Sequence, residues 1–409
     1  MKKSLSIAAF TLAACCAFGA AGCGGSSRNI VSLESNWYSG INYSGFQPTF
    51  TEGNSTYSAE DLTYTVTFDG SGAANPSYTV SYAEGQYKTY FTSKILSKDE
   101  IEKITFDGNR GEYNSQSMQV YYYRTELTIP SVTFTLKSDN TKTATVNGES
   151  IITESYFLSV ADYLCPVYSA QRVKSATPRN YQVGNIESAY VIIDRTYENF
   201  YSYKRVVNSG NKVVPEPSEA VTVTTVNSAD YGYNEFTGTQ NGESKTSVSS
   251  AVNLFDAPNT VFDIASLNTV VRACNLSAGE NLSQAISLYV PWSKQGVNNF
   301  GVAGSSAPLV LDKNAEQNTA KLNELTSKLK DANLYEEQKD SEGNVIPLKT
   351  VAVNVGTTAG VSQTYWFAAI NSTNSNVGHA TMLKMSVPVT FGLGVFNYTL
   401  SEITHTFVS

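Results

Sequence analysis

The stretch Leu62-Thr63-Tyr64-Thr65-Val66-Thr67-Phe68 alternates large apolar side chains with threonine without a break. Only an extended backbone puts every second residue on one face, so this stretch commits the chain to a β-strand with one buried side. The pattern recurs. Tyr78, Val80 and Tyr82 alternate, Glu84-Gly85 supplies a turn, and Tyr87 to Thr92 returns, which predicts a hairpin or meander of antiparallel strands. Val120 to Ile129 and Val132 to Leu136 predict further strands, and Thr143 to Ile152 contains Asn147-Gly148, the strongest short-range hairpin signal in the chain. Tyr190 to Val207 predicts a pair of strands or one long bent one. Strands are also expected at Val221–Val226, Ser247–Leu254, Ile286–Val290, Val351–Val355, Gln363–Ile370, Ala380–Val389 and Val395–Phe407, with Gly392 and Gly394 permitting a bend. With 26 tyrosines and only 16% charged residues, the expected fold class is mainly β. Curved antiparallel sheets, as an open barrel or clamp, would carry a few packed helices.

Helical spacing is scarcer. Leu322, Leu325 and Leu329, with Ala332 beyond, recur every three or four residues among lysines and glutamates, predicting an amphipathic helix at 315–333. Ser97 followed by Asp99 and Glu100 predicts a helical turn or two. Phe157, Val160, Ala161 and Leu164 fit the face of a short helix that Cys165-Pro166 would end. A further helix is expected near 262–274, where Pro258 precedes Asp263 in a first turn. There the D-x-x-S-L-x-x-x-x-R spacing of Asp263, Ser266, Leu267 and Arg272 is similar to a stretch in uncharacterised exported β-rich bacterial proteins. The resemblance implies a helix packed on a curved antiparallel sheet and carries no activity with it.

The first 27 residues give an address. Lys2 and Lys3 precede an apolar run from Leu5 to Phe18 and a small-residue exit from Gly19 to Gly22, the anatomy of a cleaved export signal. Ala20-Ala21-Gly22-Cys23 resembles the lipobox of bacterial lipoprotein signals. That resemblance implies removal of 1–22, acylation of Cys23, and attachment to the outer side of a bacterial membrane or envelope. Leu12-Ala13-Ala14-Cys15 is the competing box. Residues 23–36 then form a flexible tether opening with Gly24-Gly25-Ser26-Ser27. Gly210, Pro215 and Pro217 separate an N-terminal β-rich lobe, 37–208, from a C-terminal one, 218–409.

The formal net charge is −8, and loss of Lys2 and Lys3 makes it two units more negative. Phosphate-backbone affinity comes from clustered lysine and arginine, so a nucleic-acid partner is disfavoured and the membrane is reached through the lipid alone. With Cys15, Cys16 and Cys23 assigned to the signal and anchor, Cys165–Cys274 is the single disulfide the folded part can form. His379 and His405 show no ligand spacing with them, so no metal and no cofactor are expected. Gly-x-Ser-x-Gly is absent, and Gly301 to Ser306 is a glycine-rich loop lacking the lysine of a phosphate loop.

What remains is aromatic. Trp37, Tyr121, Tyr123, Trp292 and Trp366 are the candidate ligand-binding residues, because exposed tyrosine and tryptophan stack on sugar rings or line apolar pockets. Alternation sets Tyr121 and Tyr123 on one face and Tyr122 on the other. The expected function is a lipid-anchored extracytoplasmic binding protein for a lipid, glycan or envelope component. A structural or adhesive surface protein is the alternative, and a carboxylate-dependent glycan hydrolase the second. Growth with a radiolabelled fatty acid checks the anchor: Cys23→Ala abolishes labelling, and a label that persists moves the site to Cys15.

Overall fold

The computed structural model describes twenty-one strands, one long helix, and residues 70, 83–84, 98–100, 129–130, 137–141, 148–149, 267–268, 271, 308–314, 332, 334–349 and 381. In chain order the strands are β1 (Ala59–Asp69), β2 (Tyr78–Tyr82), β3 (Gly85–Ser97), β4 (Ser117–Thr128), β5 (Ser131–Leu136), β6 (Thr143–Asn147) and β7 (Ser150–Val160). Next come β8 (Tyr163–Pro178), β9 (Tyr190–Tyr203), β10 (Val206–Ser209), β11 (Lys212–Pro215), β12 (Val221–Asn234), β13 (Thr239–Gln240) and β14 (Ser244–Phe255). The last seven are β15 (Phe262–Asp263), β16 (Leu282–Tyr289), β17 (Val297–Ser306), β18 (Thr350–Gly356), β19 (Ser362–Ala368), β20 (Met382–Val389) and β21 (Gly394–Thr406), with α1 (Ala315–Asp331) between β17 and β18.

Sixteen of these strands make one open sheet, in the order β13-β12-β9-β8-β7-β4-β3-β1-β21-β20-β19-β18-β17-β16-β15, with β14 also on β12. All its pairs are antiparallel except β15–β16, which run parallel over two residues. The mainly β fold class with few helices is therefore observed. The order is a meander with one exception, the pairing of the first strand with the last. β1 and β21 are in register from Ala59↔Thr406 to Phe68↔Phe396 and Asp69↔Val395, with an irregularity at Thr63/Tyr64. The sheet also runs on across 208–218, where β9 pairs with β12 and β10–β11 form a small separate hairpin.

One face of the sheet carries the core. Leu62, Tyr64 and Val66 on β1, Tyr87 and Phe91 on β3, Tyr123 and Leu127 on β4, and Tyr365 and Phe367 on β19 are all buried at alternate positions. Tyr64 donates its hydroxyl to the Met382 carbonyl at 2.9 Å, and its ring meets Tyr87 at 5.7 Å. Leu267 and Val271 are buried as well, and Asn268 beside them donates its side-chain amide to the Tyr87 hydroxyl at 2.7 Å. Of the expected stretch 262–274, residues 262–263 are strand, and 267, 268 and 271 are helical.

α1 forms where the leucine spacing places it. Asn314 caps it, accepting from the Gln317 backbone N–H at 3.1 Å, and Glu316 stands in the first turn with Lys328 and Lys330 in the last. Each charge opposes the sign of the nearby helix end. Leu325 and Leu329 are buried, and the helix packs beside β21. Ser97 and Glu100 also meet as expected: the Glu100 carboxylate accepts from the Ser97 N–H at 2.9 Å, and the Ser97 hydroxyl accepts from the Glu100 N–H at 3.4 Å, the reciprocal contacts of a capping box.

Four expectations are corrected. The short helix in Tyr156–Val173 is instead the end of β7 and most of β8, in which Ile151, Thr153, Ser155 and Phe157, then Ser169, Gln171 and Val173, are buried with a period of two. Pro166 is accommodated at the bulge between Tyr156 and Phe157, where a ladder donor is dispensable. Gly301 to Ser306 is not a loop but part of β17, paired on both sides. Glu84-Gly85 does not close a β2–β3 hairpin, because β2 pairs β5 in a three-stranded sheet with β6 while β3 pairs β1 and β4.

Asn147-Gly148 is likewise a kink and not a hairpin turn. β4–β5 and β6–β7 are the two arms of one long hairpin that folds over midway, its base in the large sheet and its tip in the small one. At the fold the arms cross closely: Gly148 N–H donates to the Pro130 carbonyl at 2.9 Å and Ile129 N–H to that of Glu149 at 2.8 Å. A Cβ on residue 148 would lie 1.5 Å from the Ile129 carbonyl oxygen. The glycine is there for close approach, which the Asn-Gly signal does not distinguish from a turn.

Urea unfolding of the chain checks both features. Tyr64→Phe, which deprives the Met382 carbonyl of its donor, lowers stability by about 1 kcal/mol. Gly148→Ala lowers it by about 1–3 kcal/mol through overpacking, and an unchanged midpoint would contradict the close crossing.

Candidate functional site

The face of β3, β4, β7 and β8 opposite the core is half-buried and aromatic. Because the period of a strand is two, the residues between the buried ones fall there: Tyr90 between Thr89 and Phe91, Tyr122 before Tyr123, Tyr156 between Ser155 and Phe157, and Tyr168 before Ser169. Pairing then aligns them. Tyr122 stands opposite Tyr156, and Tyr156 opposite Tyr168, while Tyr90 lies one diagonal step from Tyr122. The result is a row of four rings across four strands, with centroids 6.2, 5.0 and 5.9 Å apart and mutual tilts of 64°, 44° and 51°. Cross-strand aromatic contacts of this kind contribute on the order of 0.5–1 kcal/mol each to the sheet.

Charged groups flank the row. Glu154 stands opposite Arg124, yet each finds another partner: the Tyr122 hydroxyl donates to Glu154 Oε1 at 2.5 Å, and Arg124 pairs with Glu126 at 2.8 Å. Burial, and then the bond to the Glu154 carboxylate, push the Tyr122 phenol well above the ordinary tyrosine range. Burial also raises Tyr156. Tyr122 and Tyr156 are thus neutral hydroxyls throughout the physiological range. Lys94 pairs with Glu100 at 2.8 Å, and hydrogen bonds from Lys94 and then from the Ser97 backbone and hydroxyl hold the Glu100 carboxyl down at about 2. Chemically the surface offers half-buried aromatic rings, hydroxyls, carboxylate acceptors, the paired cations Lys94 and Arg124, and Lys88, Arg172 and Lys174 at further outward positions of β3 and β8.

The residues named from sequence are not brought together here. Cys23, Trp37 and Trp292 lie outside the described residues. Tyr121 is on β4 at the register position opposite Phe157, and Tyr123 is 5% exposed in the core, where Asn268 reaches its hydroxyl at 3.4 Å. Trp366 is half-buried on β19, separated from β3 by β20, β21 and β1. Lys384 lies over its ring, 5.1 Å from the centroid, and donates to the Val310 carbonyl at 2.9 Å. Burial lowers that lysine's pKa. Among the described residues no group of three or more His, Cys, Asp or Glu side chains could hold a metal ion.

The sequence does not single out Tyr90, Tyr156 and Tyr168, and alternation puts Tyr122 on the face opposite Tyr121 and Tyr123. Reading 156–173 as strand would have supplied the missing signal, since it places Tyr156 and Tyr168 at the outward positions of adjacent strands. No protein-family model, curated protein or solved structure matches the chain. Among the described residues no helix is long and apolar enough to cross a membrane.

NMR titration of the carboxyls checks the electrostatics. Glu100 titrates near 2, and Lys94→Met moves it up toward the ordinary range of about 4.3. A lowered folded-state value means that the pair's contribution is whole above the unfolded carboxylate range and disappears as pH falls from there through about 2. For an exposed pair that contribution is small.

Proposed function

We propose that this chain is a lipid-anchored extracytoplasmic binding protein, and that the tyrosine row across β3, β4, β7 and β8 takes a glycan. The single observation that carries the reading is that row, four half-exposed rings at even spacing on the outer face of a sheet whose other face is packed. The C–H faces of sugars stack on such rings, and their hydroxyls find acceptors in Glu154 and Glu126. A lipid ligand would call instead for an enclosed apolar surface, and the outward groups here are amphipathic and charged. The lipobox at Cys23 supplies the complementary half of the reading, a tether that holds the surface outside the cell.

The spacing that suits stacking also favours a second reading, a structural or adhesive surface protein in which the row only braces the sheet. Binding separates the two. In calorimetry of the mature chain against a panel of soluble polysaccharides, at least one binds, and Tyr122→Ala with Tyr156→Ala weakens it by about tenfold or more without unfolding the protein. No binding across the panel, or equal affinity in the folded double variant, would overturn the proposal in favour of the structural role.

A further inference from the structure

Resting on the glycan reading above, we infer that the ligand is a single, extended β-linked glycan chain lying across the strands, one sugar ring to each of Tyr90, Tyr122, Tyr156 and Tyr168. The spacing is the first support. Successive rings are 6.2, 5.0 and 5.9 Å apart, because each strand contributes one, and an extended β-linked hexose chain advances by a similar step per ring. A chain lying along a strand would meet one tyrosine only. Running across the strands, it meets four.

The tilts are the second. No two neighbouring rings lie closer to coplanar than 44°. A rigid flat surface, such as the face of a crystalline polysaccharide, cannot contact neighbouring rings together when each is turned that far from the next. A single chain can, because rotation about each glycosidic bond turns each sugar face separately. The ridge therefore selects a free chain over a crystalline face.

Hydrogen-bonding groups of both kinds are the third. Glu154, Glu126 and Glu100 flank the row, Arg124 and Lys94 are paired with Glu126 and Glu100, and Lys88, opposite Glu126, and Arg172 occupy further outward positions of β3 and β8. Sugar hydroxyls, which both donate and accept, find carboxylates to donate to and N–H groups to accept from.

Calorimetry of the mature chain with neutral β-linked gluco- and manno-oligosaccharides of two to six rings tests this, with crystalline cellulose and polygalacturonate as comparison probes. Affinity for one neutral series should rise about two- to tenfold per ring up to the fourth and then level off. Tyr168→Ala, at one end of the row, moves the plateau from four rings to three. Tyr168→Phe, which keeps the ring, leaves it at four. A preference for crystalline cellulose or polygalacturonate, or a length dependence that Tyr168→Ala does not shift, would overturn the inference while leaving the tyrosine row as a glycan surface. Absence of binding to every glycan would remove both.

Discussion

The large sheet depends on the pairing of its first strand with its last. Everything from β3 to β14 attaches through one edge of β1, and everything from β20 back to β15 through β21. The β1–β21 ladder is the one junction between those two meanders along the sheet's order. The seam brings together residues more than 300 positions apart: the Tyr64 hydroxyl meets the Met382 carbonyl, and the Ser401 hydroxyl donates to the Thr63 carbonyl at 3.0 Å, where the register shifts. Loop-closure entropy grows only slowly with separation, so the distance along the chain is affordable at equilibrium, though it slows folding. Register at the seam is tightly specified, because a slip by one residue would turn Leu62, Tyr64 and Val66 outward.

That same register sets the outer face. Once Thr89, Thr125, Thr153 and Gln171 are aligned inward across β3, β4, β7 and β8, with Gln171 donating to Thr153 at 3.2 Å, the neighbouring outward positions must align too. The tyrosine row is a consequence of that alignment. A surface built on strand pairing is positioned more firmly than one on loops, and the rings contribute to the sheet that presents them. Loss of one ring removes an outward aromatic group and a cross-strand contact together.

Much of the fold was legible because alternation is local. Leu62 to Phe68 could be read as β1 without reference to any partner, and the leucines of α1 reveal a helix by their own spacing. Pairing was less legible. Asn147-Gly148 looks like a hairpin turn because its backbone preferences are those of one, and only the crossing with Ile129-Pro130 makes it a kink. In 156–173, Phe157, Val160, Ala161 and Leu164 happen to share a helical period, while the strand period is carried by Ser155, Ser169 and Gln171, small or polar residues that seldom signal burial. The candidate site was hidden for the same reason. Tyr90, Tyr122, Tyr156 and Tyr168 are spread over 79 positions of sequence, and only the register between strands makes them neighbours.

The seam makes the two meanders one cooperative sheet, and native-state hydrogen exchange across β1 and β21 measures this most directly. The amides of residues 61–67 and 395–403 should open together, with one shared free energy near that of global unfolding. Exchange of the β21 amides at a markedly lower free energy while β1 stays protected would show the halves to be independent and contradict the account.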